Sequence, residues 1–349
     1  MARKIIIVLL SFLLLFPAAN LIAESRQELV ILNWSDYLDP DLVAQFETAY
    51  NAKVTQVFYA SDERRTELLL ETDGKGYDLI LTSGVDISTY VQQGWLSPLN
   101  KDQLPNLAHL SSHWRHAFPY AEHYAVPFFW GTTGIAYRQD LVESPITSWK
   151  QFFEPDTELQ GKIALFDSPG DVIAMALKSL GFSSNSEDEQ ALARVRDLLR
   201  AQKPYVHSSQ YLSMDENSLL VRGDVVAAMA YNGDALMLAE YNDNIRYVLP
   251  EEGGEIWIDY FVIARQAANS DLAHVFLDFI NDPINAAQMA AFVYYATPNL
   301  AAEKLLDEDF LNNPIIYPQK SSLQNSELYT PRSPRAQRLW HIMASELLQ

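Results

Sequence analysis

Residues 28–50 read ELVILNWSDYLDPDLVAQFETAY, and the way this stretch divides sets the fold. Glu28 to Asn33 is a short apolar run with β-branched residues, which predicts a strand. Asp39-Pro40 then opens a helix, because an aspartate side chain accepts free N–H groups of the first turn and proline's fixed φ is tolerated there. Leu42, Val43, Phe46 and Tyr50 fall at helical spacing and predict its apolar face. The pattern continues outward. Lys53 to Tyr59 reads as a strand, Ser61 to Thr72 as a helix closed by Gly74, and Tyr77 to Thr82 as a third strand.

A second round begins near Gly161. Lys162 to Phe166 reads as a strand, and Asp167-Ser168-Pro169-Gly170-Asp171 leads into a helix ending at Gly181. Ser186, with Glu189 three residues later, has the spacing of a capping box. Val225 to Tyr231, Ile245 to Leu249 and Ile256 to Ala264 predict strands, and Ser333-Pro334 starts a last amphipathic helix carrying Leu339, Ile342 and Leu347. Strand and helix alternate throughout, so the expected class is α/β, with mostly parallel sheets flanked by helices. With neither a tandem repeat nor a low-complexity linker, the chain predicts two lobes in continuous contact.

Arg3 and Lys4 followed by the apolar run Ile5 to Phe16 have the form of a secretory signal peptide, and Ala18, Ala19 and Ala23 offer small residues for cleavage. The apolar run is shorter than the roughly 20 residues a spanning helix needs. A cut after Ala23 removes residues 1–23 of the 349, leaves 326, and moves the formal charge from −20 to −22 by taking Arg3 and Lys4. Such a surface repels nucleic acid, although acidity alone also serves solubility. The absence of cysteine excludes disulfides, thiolate metal sites, cysteine nucleophiles and a lipid-anchored cysteine. A soluble periplasmic product is the expectation.

In open α/β sheets ligands sit beyond the carboxyl ends of strands. Here the places to inspect are alike: Asn33-Trp34-Ser35-Asp36-Tyr37, Asp167 to Asp171 and Tyr231-Asn232-Gly233-Asp234 follow strands, and Trp257-Ile258-Asp259-Tyr260 lies within the late strand. Each pairs an acid with an aromatic, a hydroxyl, or both. Residues two apart in extended chain point the same way, which predicts that Trp257 and Asp259 share a face, and Trp34 and Asp36 another. An indole beside a carboxylate suits an alkylammonium ion: the ring attracts the cation and covers its methylenes while the carboxylate takes its N–H donors. Asp36, Asp171, Asp234 and Asp259 supply enough charge for a diamine or a triamine. Each residue also has a structural reading: Asp171 as a capping-box partner of Ser168, Trp34 and Trp257 as core rings, Asp234 as a turn residue.

The chain resembles the spermidine/putrescine-binding periplasmic proteins. The likeness lies in Asn33-Trp34-Ser35-Asp36-Tyr37, Tyr77-Asp78-Leu79 through Ser83, Pro127 to Gly131, Asp167 to Val172, Tyr231-Asn232-Gly233, Gly253 to Asp259 and Tyr295 to Ala301, in this order. The resemblance implies a two-lobed periplasmic binding protein fold, with residues 24–134 plus 257–302 in one lobe and 135–256 plus 303–349 in the other. It further implies a cleft in which Trp34, Tyr37, Tyr231, Trp257 and Tyr295 box a carbon chain. Asp36, Asp171 and Asp259 would bind its nitrogens, with Ser83 and Ser213 as lesser contacts. The implied partners are putrescine or spermidine and an inner-membrane ABC permease with its ATPase. No cofactor and no metal are implied.

Several positions depart from the spermidine type: Val85 and Ser168 stand where it has tyrosine and aspartate, Tyr231 where it has tryptophan, and Tyr329 near where it has glutamine. Asp234 stands where the putrescine type has an acid. The expectation is a site that accepts both polyamines with a tilt toward the shorter. The alternatives are another organic cation such as agmatine, or a carboxylate-dependent hydrolase using Asp167 and Asp171 as acid and base. Against an enzyme, the chain has no nucleophile elbow, phosphate-binding glycine loop or zinc-protease motif. His109, His113, His116 and His123 bring no acid-rich ligand motif, so a solvated surface is expected for them.

Overall fold

The computed structural model describes residues 26–347; the expected signal peptide 1–23 and the side chain of Leu347 lie outside the described residues. Ten strands form: β1 (Gln27–Asn33), β2 (Ala52–Phe58), β3 (Leu79–Ser83), β4 (Leu96–Ser97), β5 (Ala125–Arg138), β6 (Ile163–Ala164), β7 (Val206–Ser208), β8 (Ala227–Tyr231), β9 (Ile245–Val248) and β10 (Ile256–Ala264). Their order is β2-β1-β3-β10-β5-β8-β6-β7, with β4 beside β10 and β9 beside β5.

The 14-residue strand β5 belongs to two sheets. From Ala125 to Thr132 it pairs with β10, and from Thr133 to Arg138 with β8 and β9. The outer strands, β1 with β2 and β3, and β6 with β7 and β8, run parallel as helix-covered strands do. Where β10 and β5 enter, pairing turns antiparallel, because the chain leaves the first sheet on β5 and returns to it on β10. Each sheet buries both faces. Leu29, Ile31, Phe46 and Phe276 pack on one face of the first sheet, and Leu32, Ile80, Tyr90 and Tyr260 on the other. Trp149, Phe152, Ile173 and Met229 pack on one face of the second, and Leu220, Ala228 and Leu238 on its other. Each fully buried Leu, Ile or Phe contributes about 1.5–3 kcal/mol over exposure. Just beyond residue 302 the chain still packs on the first sheet through Leu306 and Phe310, and only later does it join the second sheet's core through Tyr329, Trp340 and Met343.

Local chemistry sets the helix ends. Asp39 accepts from the Asp41 N–H ahead of the helix Pro40–Ala49, and Ser61 accepts from Arg64 N–H ahead of Asp62–Thr72. The cap expected at Ser186 differs. Asp188 accepts from Ala191 N–H and starts the helix Glu189–Gln202, while the Ser186 hydroxyl oxygen accepts from the Asp188 N–H. On the last helix, Pro334–Leu347, the buried stripe is Ala336, Trp340 and Met343, and Ile342 is half exposed. Ile342 lies two residues from Trp340, nearly opposite it on the helical wheel. The expected strand 162–166 keeps only Ile163–Ala164 in its ladder, since the chain turns outward at Asp167.

Gly131, on β5 where the two sheets meet, has no room for a side chain: an added Cβ would overlap both the Trp257 indole and Asn232 Oδ1. Asn232 Oδ1 accepts from Thr132 N–H at 3.0 Å and its Nδ2 donates to the Ile315 carbonyl at 2.9 Å, so one amide ties β5, the helix Asn232–Tyr241 and the C-terminal segment. Gly131→Ala is expected to destabilise the protein by about 1–3 kcal/mol, the usual cost of overpacking. Urea unfolding measures it, and an unchanged midpoint would show that this crossing is not tightly packed.

Candidate functional site

A cavity of about 340 Å³ opens between the two sheets, at the carboxyl ends of β1, β3 and β8 and along β10. Ten of the eleven expected site residues line it: Trp34, Asp36, Tyr37 and Ser83 from the first sheet's side, Asp171, Tyr231 and Asp234 from the second's, and Trp257, Asp259 and Tyr295 at the junction. Ser213 does not. It is exposed on the loop before the helix Leu219–Arg222, and its loop neighbours Tyr211 and Met214 reach the cavity instead. Glu255, Tyr329, Tyr59 and Asp62 also line it without having been expected to.

Strand alternation explains β10. The irregularity in its pairing places two β5 residues, Phe128 and Phe129, opposite Asp259, so the extra residue is on β5 and the alternation along β10 is intact. Glu255, Trp257 and Asp259 therefore fall on one face. Carrying the two-residue spacing one step back from Trp257 finds Glu255. The same spacing fails for Trp34 and Asp36, because Asp36 has φ +56° in the turn after β1. Both still border the cavity, with Asp36 exposed at its rim.

The aromatic walls contact one another. Trp257 meets Tyr295 edge-on at 4.8 Å and Tyr231 at 5.8 Å; Tyr231 stacks on Phe166 at 4.7 Å; Trp34 packs on Tyr59 at 4.5 Å. Tyrosine hydroxyls aim the acids. Tyr37 donates to Asp259 Oδ2 at 2.9 Å, Tyr329 to Asp171 Oδ1 at 3.0 Å, and Tyr295 to Asp234 Oδ1 at 2.5 Å, with Tyr211 donating to Asp234 Oδ2. Thr133 donates to Glu255 Oε2 at 3.3 Å. Ser168 caps its helix through the Asp171 N–H, leaving the Asp171 carboxylate to Tyr329 and the cavity.

Among the described residues, no lysine, arginine or histidine lines the cavity. Burial therefore dominates these acids and favours their neutral forms. Asp171 is pushed up to about 7, with Glu63 and Asp62 adding to the effect, and Asp259 to about 7, with Asp62 adding. Burial carries Asp234 to about 6 against the two tyrosine hydrogen bonds, and raises Glu255 well above the usual carboxylate range, with Asp171 contributing. Behind the wall a positive charge is already used. The fully buried Arg65 donates to Asp62 at 2.5 Å, to Asp86, and to the hydroxyls of Tyr90 at 3.0 Å and Tyr59 at 3.4 Å. It braces Tyr59, which backs Trp34.

Among the described residues, no three His, Cys, Asp or Glu side chains are grouped to hold a metal ion, and no helix is long and apolar enough to cross a membrane.

Two helix-covered sheets sharing crossing strands, with an acidic and aromatic cavity at the junction, define a two-lobed binding protein whose ligand is captured between lobes. Residues 41–318 match the bacterial extracellular solute-binding protein family, and the chain belongs to it. It is 30% identical over 307 residues to a spermidine/putrescine-binding periplasmic protein of Escherichia coli K12, covering 87% of each chain. It is 31% identical over 331 residues to the putrescine-binding periplasmic protein SpuD of Pseudomonas aeruginosa, covering 88% of each. A putative spermidine/putrescine ABC transporter structure from Listeria monocytogenes superposes with a TM-score of 0.85 at 32% identity, over 93% of this chain and 99% of that one.

The raised acids predict how the ligand-free protein responds to pH. A carboxyl whose native value is lifted above its unfolded value of roughly 4 gives stability that is whole below that value and is lost as pH rises through the native one. Stability without ligand should therefore fall as pH rises from about 4 to about 7, over the range set by Asp171, Asp234 and Asp259. Asp259→Asn should flatten that fall. Thermal unfolding across this range tests it, and equal slopes for both proteins would contradict the burial of Asp259.

Proposed function

We propose that this protein captures a polyamine of the putrescine and spermidine class in the periplasm and delivers it to an inner-membrane ABC permease and its ATPase, with no chemical step of its own. The observation that carries this reading is four acids, Asp234 and Glu255 buried and Asp171 and Asp259 half-buried, lining an aromatic cavity to which no positive side chain among the described residues contributes. An ammonium taken out of water costs several kcal/mol unless it is paired. Each acid supplies a partner, and Trp257, Tyr231, Tyr295 and Trp34 offer faces to the methylenes and cation–π contact to the charge. An amino-acid cation such as arginine would bring a carboxylate that no group here meets. The relatives' names, spermidine/putrescine-binding and putrescine-binding, agree with this class.

Asp259 stands beside Trp257 and is oriented by Tyr37, so it is the central ammonium partner in this reading. Asp259→Ala should cost about 2–5 kcal/mol of polyamine binding, the range for removing one side of a buried charge pair. Titration calorimetry reads the loss; a variant within about threefold of wild type, under 1 kcal/mol, would remove Asp259 from the site. Binding should also release protons between pH 6 and 7, since the cation favours the ionised acids. Calorimetry in buffers of different ionisation enthalpy measures that release, and none at pH 6 would contradict it.

Lobe closure completes the proposal, with residues 24–134 plus 257–302 moving against the remainder about the β5 and β10 crossings. Across the cleft, the Ser168 hydroxyl donates to Glu63 Oε1 at 3.5 Å, a contact that opening would break. A ligand that binds both lobes shifts the population toward the closed state. Solution scattering should show a smaller radius of gyration with saturating spermidine, and an identical curve would count against closure.

A further inference from the structure

Glu255 is the acid that neither the strand-end pattern nor the resemblance assigns. It is 6% exposed, lies immediately before β10 at the junction, and borders the cavity. Its backbone is clamped on both sides: its carbonyl accepts from Thr133 N–H at 3.0 Å, and it bridges Glu327 on the C-terminal segment. Of its side-chain oxygens, Oε2 accepts a 3.3 Å bond from Thr133, and no cation pairs with the carboxylate. A buried acid in this position is costly unless something positive comes to it.

Three stations of charge can be traced along the cavity. Asp234 is held by Tyr295, whose ring meets Tyr37 at 5.8 Å, and Tyr37 holds Asp259. From Asp259 the strand face runs back through Trp257 to Glu255, roughly 13 Å along β10 at about 3.3 Å per residue. Tyr329, which donates to Asp171 at 3.0 Å, stands two residues beyond Glu327, the residue that Glu255 bridges, so both acids border the cavity beside the same stretch of the C-terminal segment, and Asp171 adds to the upward push on Glu255. Asp171 and Glu255 therefore form one pole, approached from the two sides of the cleft. Two neighbouring carboxylates share one proton or one cation far more readily than both ionise unaided.

We infer that Glu255 is a specificity-determining ligand contact: with Asp171 it takes one terminal ammonium, so that the stations Asp171/Glu255, Asp259 and Asp234 match a triamine better than a diamine. This rests on the polyamine reading and reverses the tilt toward the shorter ligand expected from Ser168 and Asp234. Ser168 withholds a charge from this end, and Glu255 returns one from a different strand. A diamine fills Asp259 and Asp234, with its methylenes against Tyr37, Tyr295 and Trp257, and leaves the Asp171/Glu255 pole unused. The third nitrogen of a triamine reaches it.

Titration calorimetry with putrescine and spermidine on wild type, Glu255→Gln and Thr133→Val tests the assignment. Wild type should bind spermidine more tightly than putrescine. Glu255→Gln should weaken spermidine by about tenfold or more and putrescine by less than about threefold, so that the preference collapses. Thr133→Val keeps the charge and should keep the preference, which a purely structural role for the Thr133–Glu255 contact would not allow. Equal losses for both ligands, no loss, or the same behaviour in both variants would overturn the assignment. So would loss of cooperative thermal unfolding in Glu255→Gln, which would give the residue to the crossing rather than the ligand. If wild type binds neither amine, it is the polyamine reading that fails.

Discussion

Four acids sit in a low-dielectric cleft with no cation among the side chains around them. Burial is the largest cause raising Asp171, Asp234, Glu255 and Asp259, neighbouring carboxylates add to it at all but Asp234, and hydrogen bonds from tyrosine hydroxyls and a threonine offset only part of that. Much of the structure serves this arrangement. Tyr37, Tyr211, Tyr295 and Tyr329 donate to the carboxylates, and a neutral donor steadies an anion without cancelling its charge. A lysine in the same place would satisfy the acids and fill the site. The fold here supplies dipoles where it withholds charge.

Arg65 shows the contrast. It is more deeply buried than the acids, but its guanidinium is saturated by Asp62, Asp86, Tyr59 and Tyr90, so its charge is compensated behind the first wall. A buried charge of this kind persists only with nearly all of its donors used. It fixes Tyr59, and through it Trp34, while Asp62 keeps one edge of the cleft negative. The neutralised network and the unneutralised acids lie only a few side chains apart.

The crossing strands join these parts. β5 and β10 are shared or bordered by both sheets, and Gly131 and Gly254 let the ribbons approach so closely that a Cβ at either would overlap a neighbour. Trp257 rests against Gly131 for that reason. The site thus depends on backbone packing at the junction as much as on its acids.

Much of this was legible in the linear chain. The period-two and helical patterns around Glu28 to Tyr50 gave strand, cap and helix with the boundaries nearly as observed, because those signals are local: hydrogen-bond capping at Asp39 and Ser61, and side-chain alternation in a strand. Trp34, Tyr37, Asp171, Tyr231 and Asp234 converge as their acid and aromatic pairing suggested, since strand ends in such sheets share one edge; Trp257 and Asp259 join them by alternation within β10, and Tyr295 as the resemblance implied. Ser213 did not converge, because a loop's path carries no periodicity to read. Tyr211 was hidden for the same reason, since it enters from the same loop; Tyr329 was marked only as a departure from the spermidine type, and Tyr59 stood at the end of the strand read as Lys53 to Tyr59 without an acid beside it to single it out. Glu255 was readable as one more step of the β10 alternation, but its meaning was not. By itself the sequence determined the elements, the caps and the stock of acids and rings; only the tertiary structure decided that no positive side chain joins them, because desolvation and pairing depend on what surrounds a group in space.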